Sequence, residues 1–273
     1  MDLQNFLASH ALADTTKERY SRVLRELENL PIETWQASDL IQYLNKPTWG
    51  NSMQNIALNA IKQYLRWKYG SQHPALAAKL KRVKPPRQRV LTMEKAQELL
   101  AMFDPHTPKG ARDLALAALA LDTGLRASEL ARLTPANLDM EERTLSVIVK
   151  GGQWKTAVYS EATANCINKW LAYRDENCKT LFYSLHHRNK GNEMKRDGMR
   201  QLVNEWGRRL NIKLSPHDLR RSFATLATIL GAPTRIVQVA GRWEKLETVE
   251  KYTRDIEQRN ITPYLPTSHL IKK

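Results

Sequence analysis

The sequence is poor in cysteine: Cys166 and Cys178 are the only two in 273 residues. Two such thiols are too few and too widely spaced for a disulfide framework or a structural zinc site, and they fit a reducing compartment such as the cytoplasm. Long apolar runs are missing as well. No stretch approaches the roughly 18 apolar residues that a membrane-spanning helix requires. The opening MDLQNFLASHALADTTKERY has no basic segment followed by an apolar one, so no signal peptide is expected. There is no internal repeat, no low-complexity segment, and no Asp, Glu or His cluster with metal-ligand spacing. His186 and His187 are adjacent rather than helically spaced, and HHRNKG reads as a plain basic loop. Acidic residues are also in deficit: 28 Asp and Glu against 43 Lys and Arg leave a net charge of +15. A surface that basic attracts polyanions, of which nucleic acid is the commonest. A well-solvated or ribosome-associated protein has the same balance, so charge alone decides nothing.

What is present suits a globular chain of two domains, with 42% hydrophobic residues over a length beyond that of most single cores. The first 84 residues read as helices with short connections. Thr15 and Glu18 have the spacing of a capping box, ahead of Tyr20, Val23, Leu24 and Leu27 at helical intervals. A second helix is predicted near Ser38, with Leu40, Ile41 and Leu44 on its apolar side. A third starts at Ser52 and carries Met53, Ile56, Ala57, Ala60, Ile61, Tyr64 and Leu65, with Lys62 and Arg66 on another face. PALAAKLKR is expected to form a fourth. The stretch KRVKPPRQRV then places Pro85 and Pro86 among cations that include Lys84 and Arg87. Two adjacent prolines prohibit a continuous helix and favour extended backbone, so residues 85–91 read as a basic linker.

Beyond it, Thr92 is placed to cap a helix with Ala96, Leu99, Leu100 and Phe103. The nearly all-apolar run Ala111 to Leu121 must be a buried helix. Thr144 to Val149 and Trp154 to Tyr159 flank Gly151-Gly152 as a β-hairpin, and LFYS (181–184) is expected to supply a third strand. From Arg196 onward the pattern is helical. The fold class is therefore mainly α with a small antiparallel β-sheet.

Four segments of this second half carry chemistry. In TGLRASEL (123–130), Gly124 ends the buried helix, and Arg126 and Glu129 lie three apart on one face, where they can pair. An Arg held by a carboxylate near a helix start can grip a phosphate, although R-x-x-E alone is more often an ordinary ion pair. Lys150 sits at the hairpin tip in VKGGQWK, where a lysine reaches a bound phosphate or simply faces water. In SPHDLRRSF (215–223), Ser215 caps, Pro216 takes the first helical position and Asp218 completes the start, with His217 and Arg220 on one face of the first turn. In AGRWEKLETVEKYTR (240–254), Trp243 precedes Tyr252 by nine residues; either alone would be assigned to a core.

Taken in order, R-x-x-E, a turn Lys, H-x-x-R and G-x-W followed by Tyr resemble the catalytic signature of the tyrosine recombinases, the phage integrase family. The likeness runs through roughly the last two-thirds of the chain, and the G-R-W…Y spacing is most like that of Cre-type members. The resemblance implies a site-specific recombinase that cleaves and rejoins DNA through a 3′-phosphotyrosyl intermediate. Tyr252 would be the nucleophile. Arg126 and Arg220 would hold the non-bridging oxygens of the scissile phosphate, with Glu129 supporting the site. Lys150 would protonate the departing 5′ oxygen, His217 would act as acid, base and phosphate ligand, and Trp243 would stand where many relatives have a second His. A phenol titrates near ~10, so attack requires cationic neighbours, which two guanidiniums provide as a fixed clamp. A covalent intermediate conserves the phosphodiester energy, so no cofactor, ATP or metal is implied. The hairpin departs from the more usual G-K-G-x-K-x-R, which leaves Lys155 as a rival to Lys150.

The resemblance also implies domains: a helical, SAM-like core-binding domain over residues 1–84, the linker at 85–91, and a mixed α/β catalytic domain over 92–273. No arm-site-binding module is expected ahead of them. Lys62, Arg66, Lys68, Lys84 and Arg87 become candidate DNA contacts. The partner would be double-stranded DNA with an inverted-repeat core site, bound by a homotetramer that is a monomer or dimer when free. The apolar tail, about residues 256–273, would dock on a neighbour or on its own domain. Two other readings share these residues: a type IB topoisomerase-like nicking-closing enzyme, and a DNA-binding accessory protein on the same fold.

Overall fold

Apolar residues at helical spacing become helices in both halves of the chain. The computed structural model describes residues 2–81, 83, 88–149, 152–250 and 252, which fall into two units, Met1–Pro86 and Arg87–Lys273. Lys84, Arg87 and Lys150, the prolines of the expected linker and the tail at 256–273 lie outside the described residues.

In the first unit, helices α1 (Leu3–Ser9), α2 (Asp14–Arg25), α3 (Ala37–Leu44) and α4 (Asn51–Tyr69) surround one core. Phe6, Leu24, Leu27, Leu40, Leu44, Ile61, Tyr64 and Leu65 are fully enclosed there. The predicted stripe on α4 faces inward, because residues three and four apart share a side of a helix. The start of α2 differs from expectation. Ala13, in extended backbone, is its N-cap and Asp14 lies in the first turn, so Thr15 is already inside the helix and forms no capping box. PALAAKLKR also differs: it makes only a 3₁₀ turn, Pro74–Ala77, capped by the His73 side chain. Ala75 and Ala78 are both buried, and the three-residue repeat of a 3₁₀ turn is what brings them to the same side.

The second unit contains α5 (Met93–Ala101), α6 (Pro108–Thr123), α7 (Ala127–Arg132), α8 (Glu161–Leu171), α9 (Arg196–Arg209), α10 (Pro216–Ile229), α11 (Thr234–Ala240) and α12 (Leu246–Glu250). Its sheet has the order β1 (Leu138–Asp139), β2 (Thr144–Ile148), β3 (Trp154–Val158), all antiparallel, with Leu145 opposite Ala157 and Val147 opposite Lys155. Thr92 caps α5 by accepting from the Lys95 N–H at 3.2 Å. Helix α6 packs against α5, α8 and α10, so it is enclosed almost all round. That burial includes a pair that composition hides: Arg112 donates to Asp113 Oδ1 at 2.6 and 2.8 Å, and Trp206 Nε1 donates to Asp113 Oδ2 at 3.2 Å.

LFYS is not the third strand. Leu181, Phe182 and Tyr183 are all buried, and their backbone groups bond to the Leu133 carbonyl, the Trp170 indole and the Arg112 guanidinium. Only an isolated bridge joins Tyr183 to Glu193. Consecutive burial without alternation is incompatible with a strand on a one-sided sheet, and the third strand is Leu138–Asp139 instead. Among the described residues no helix is long and apolar enough to cross a membrane.

Candidate active site

The site is assembled at two chain corners. At the first, α6 ends on Gly124, which adopts the left-handed conformation at φ +57°, a region open to glycine at little cost. A Cβ there would also lie 2.5 Å from the Phe223 ring. The chain then places Arg126 in extended backbone as the N-cap of α7. Glu129 accepts from the Arg126 backbone N–H at 2.8 Å and from its Nη1 at 2.7 Å. The carboxylate is buried while 43% of the Arg126 side chain stays exposed, so the guanidinium is aimed by one side and open on the other.

Helix α10 supplies the middle of the site. Ser215 caps it and donates to the buried Asp218 carboxylate at 2.7 Å. Asp218 also holds Arg89 and Arg221, each at 3.1 Å, and Ser222 accepts the Leu91 backbone N–H at 2.7 Å. Arg89 and Leu91, at the end of the expected linker, are thus fastened to the helix that carries His217 and Arg220. Arg220 is buried, with Nη1 donating to the Gly124 carbonyl and Nη2 to the Gly241 carbonyl at 2.6 Å. Burial, then the nearby Arg126, pulls its pKa down to about 9, so it remains a cation at neutral pH. A guanidinium carries five N–H donors, of which these two carbonyls take two. His217 is exposed; the desolvation it still suffers, then Arg221 and Arg220, hold its pKa below the usual imidazole range.

The second corner follows α11. Gly241 is required because a Cβ would fall 1.7 Å from the Trp243 ring. Arg242 has φ +58°, and Trp243 folds back to stack on Phe223 at 6.1 Å between centroids and 15° between planes. Tyr252, buried, follows α12 and lies 5.6 Å from Trp243 and 6.4 Å from His217, edge-on to the imidazole. Thr225 Oγ1 donates to the Tyr252 carbonyl at 2.7 Å, pinning the backbone of this segment to α10. Arg126, Glu129, His217, Arg220, Trp243 and Tyr252 therefore share one neighbourhood.

Lys150 falls on undescribed residues, yet its neighbours in the chain lie beside this region. Ile148, Val149 and Gly152 line a cavity of about 270 Å³ whose other side is Arg126, Ser128, Glu129 and Arg132. Lys155 is exposed on β3, opposite Val147. In the first unit, Arg66 and Lys68 are exposed and Lys62 is half-buried. Burial, with Arg66 and Lys79 close by, lowers the Lys62 pKa. The His186 and His187 rings lie 4.3 Å apart, and among the described residues no group of three or more His, Cys, Asp or Glu could hold a metal. Sequence reasoning missed Phe223, the Asp218 contacts and Arg242. The only trace of Arg242 in the sequence was its position between Gly241 and Trp243.

Comparison with known proteins identifies the family. Residues 89–259 match the phage integrase family. The chain is 26% identical over 254 residues to the tyrosine recombinase XerC of Actinobacillus pleuropneumoniae serotype 7, covering 87% of this chain and 82% of that one. It is 30% identical to the tyrosine recombinase XerA of Pyrococcus furiosus, over 80% of this chain and 76% of the relative. The Tn1549 transposon integrase, solved in complex with circular intermediate DNA, has the same fold, with a TM-score of 0.74 at 17% identity over 97% of this chain and 99% of that one.

Proposed function

Because the chain belongs to the phage integrase family, that of the tyrosine recombinases, we propose that it binds duplex DNA and cuts and rejoins it through Tyr252 as a site-specific recombinase. The phenol oxygen attacks the scissile phosphorus and its proton passes to His217. The bond from phosphorus to the 5′ oxygen breaks, and Lys150 protonates that oxygen. The products are a 3′-phosphotyrosyl link and a free 5′ hydroxyl. Attack by a 5′ hydroxyl from a second duplex runs the same steps backward and returns the proton to the phenol. One phosphodiester is exchanged for another, so nothing needs to be hydrolysed to drive rejoining.

The other groups act on the phosphate. Arg126 and Arg220 present fixed positive charge to the non-bridging oxygens, where negative charge grows in the transition state. Glu129 aims Arg126. A His217 held neutral in the free protein is able to accept a proton. Trp243 donates only through its indole N–H, so proton transfer rests on His217 and Lys150. In the first unit, Lys62, Arg66 and Lys68 bind the DNA backbone, as do Lys84 and Arg87 at the linker. The working assembly is a tetramer on inverted-repeat core sites in the cytoplasm, with the tail docking on a neighbour. The exposed apolar residues Leu230, Ile236, Val239 and Leu246 are the positions proposed to receive such a tail.

The observation that carries this reading is that Tyr252 is packed between His217 and Trp243, with the Arg220 guanidinium on the same indole. It is tested by covalent capture from a library of randomised nicked duplexes, whose enriched sequences also define the site. Wild-type protein should give detergent-resistant adducts joined through a 3′ phosphate, and Tyr252→Phe should bind the enriched duplexes without forming any. Adducts of undiminished yield from Tyr252→Phe would remove the assignment.

A further inference from the structure

Two pairs of successive carbonyls, one pair from each corner of the site, are held by two guanidiniums. Arg220 reaches from α10 to Gly124 and Gly241. Arg242 donates to the neighbouring carbonyls, Thr123 at 2.8 Å through Nη2 and Ala240 at 2.8 Å through Nη1. The first corner leads directly into Arg126, and the second carries Trp243. These corners are 119 residues apart for the Arg242 to Thr123 contact, so local chain geometry does not set their separation.

Two further features mark Arg242. It is a non-glycine residue in the left-handed region, which L-residues enter only at a cost. Its Nε is buried and, among the described residues, has no hydrogen-bond partner. A protein that needed only a turn here would be served better by glycine. Burial lowers its pKa, with Glu129 opposing and Arg126 adding to that shift, which places its charge in the same field as the phosphate-binding arginines.

We propose that Arg242 is a positioning residue for DNA cleavage, a staple that sets Arg126 and Trp243 in register around Arg220. This rests on the recombinase reading of the site. A planar guanidinium can bridge two carbonyls at fixed angles, whereas an ammonium on the same stem cannot. Arg242 is not counted among the phosphate ligands.

The test is single-turnover formation of the covalent adduct on the captured duplexes, run beside DNA affinity, melting temperature and chemical rescue. Arg242→Gly removes the staple and relieves the backbone. It should bind DNA as the wild type does, with the same salt dependence, and cleave about 100-fold more slowly, the scale of an ångström-sized misplacement. Added guanidinium ion should restore part of that rate, while sodium chloride of equal strength should not. Arg242→Lys, which keeps charge and bulk, should also cleave slowly, and it decides the matter should the glycine variant fold poorly. Wild-type cleavage by a folded Arg242→Gly or by Arg242→Lys overturns the proposal. So does a salt slope that falls by about 0.9, the mark of a lost phosphate contact, at an unchanged cleavage rate. Adduct formation by Tyr252→Phe in the same experiment instead overturns the nucleophile assignment beneath it.

Discussion

The Arg220 guanidinium stands 4.4 Å from the centre of the Trp243 ring, and the opposite relation, Trp243 stacked on Phe223, fixes the indole in place. One aromatic side chain therefore supports a cation that burial would otherwise destabilise, because the face of an indole is electron-rich. Trp243→Ala should lose this support and leave a void, lowering stability by about 3–5 kcal/mol. Trp243→Phe should keep most of the stability. Urea denaturation of the two variants checks this, and equal losses would argue that the ring's contact with Arg220 and Phe223 matters little.

The Arg112–Asp113 pair gives a second expectation, on the stability of the second unit. Asp113→Ala strands a buried guanidinium and should cost about 3–5 kcal/mol, whereas replacing both residues by Met and Leu should cost far less, because an apolar pair removes both desolvation penalties. A double-mutant cycle by urea denaturation measures the difference. Additive losses would mean that the two charges are not coupled.

His217 provides a pH dependence with a definite sign. Its pKa in the free protein lies below the usual value of about 6.5, chiefly through desolvation and then through Arg221 and Arg220. A bound phosphodiester adds negative charge beside it and should raise that pKa. DNA binding then takes up a proton, so this residue's contribution makes affinity rise as pH falls through the interval between the free and bound values. Imidazole resonances followed by NMR with and without duplex give both values; a bound pKa at or below the free one would exclude His217 from the phosphate site.

Assembly should depend on the apolar face around α11. Leu230 is 75% exposed and Val239 63% exposed. Leu230→Lys with Val239→Lys should leave binding and cleavage of a single site intact but abolish strand exchange between two duplexes, read as recombinant product on a gel. Undiminished recombination would place the tail elsewhere.

Much of the site was legible in sequence because its parts are local devices. Ser215, Pro216 and Asp218 announce a helix start at any depth in a protein, and Gly124 marks a helix end through backbone conformation alone. Arg126 and Glu129 pair because the third residue of a helix can reach back to the residue that caps it. Those signals suggested a phosphate site, and their order, with Trp243 nine residues before Tyr252, carried the family resemblance that implied a phenol nucleophile.

Other readings failed where local pattern was overruled. LFYS has the composition of a strand, but its first three residues are buried, and Arg112 of α6 and Trp170 of α8 bond its backbone with side chains. PALAAKLKR has helical composition, but the positions of Ala75 and Ala78 against the core suit a single 3₁₀ turn.

The sequence by itself determined most of the helices, the caps at Thr92 and Ser215, the hairpin and the family signature, because each depends on residues close together in the chain. Only the tertiary structure decided which carbonyls Arg220 and Arg242 hold, that Phe223 lies between Gly124 and Trp243, and that Asp218 fastens Arg89. The contacts of Arg220 with Gly124, Arg242 with Thr123 and Asp218 with Arg89 span 96, 119 and 129 positions, and nothing in their local sequence encodes a partner that only packing brings within reach.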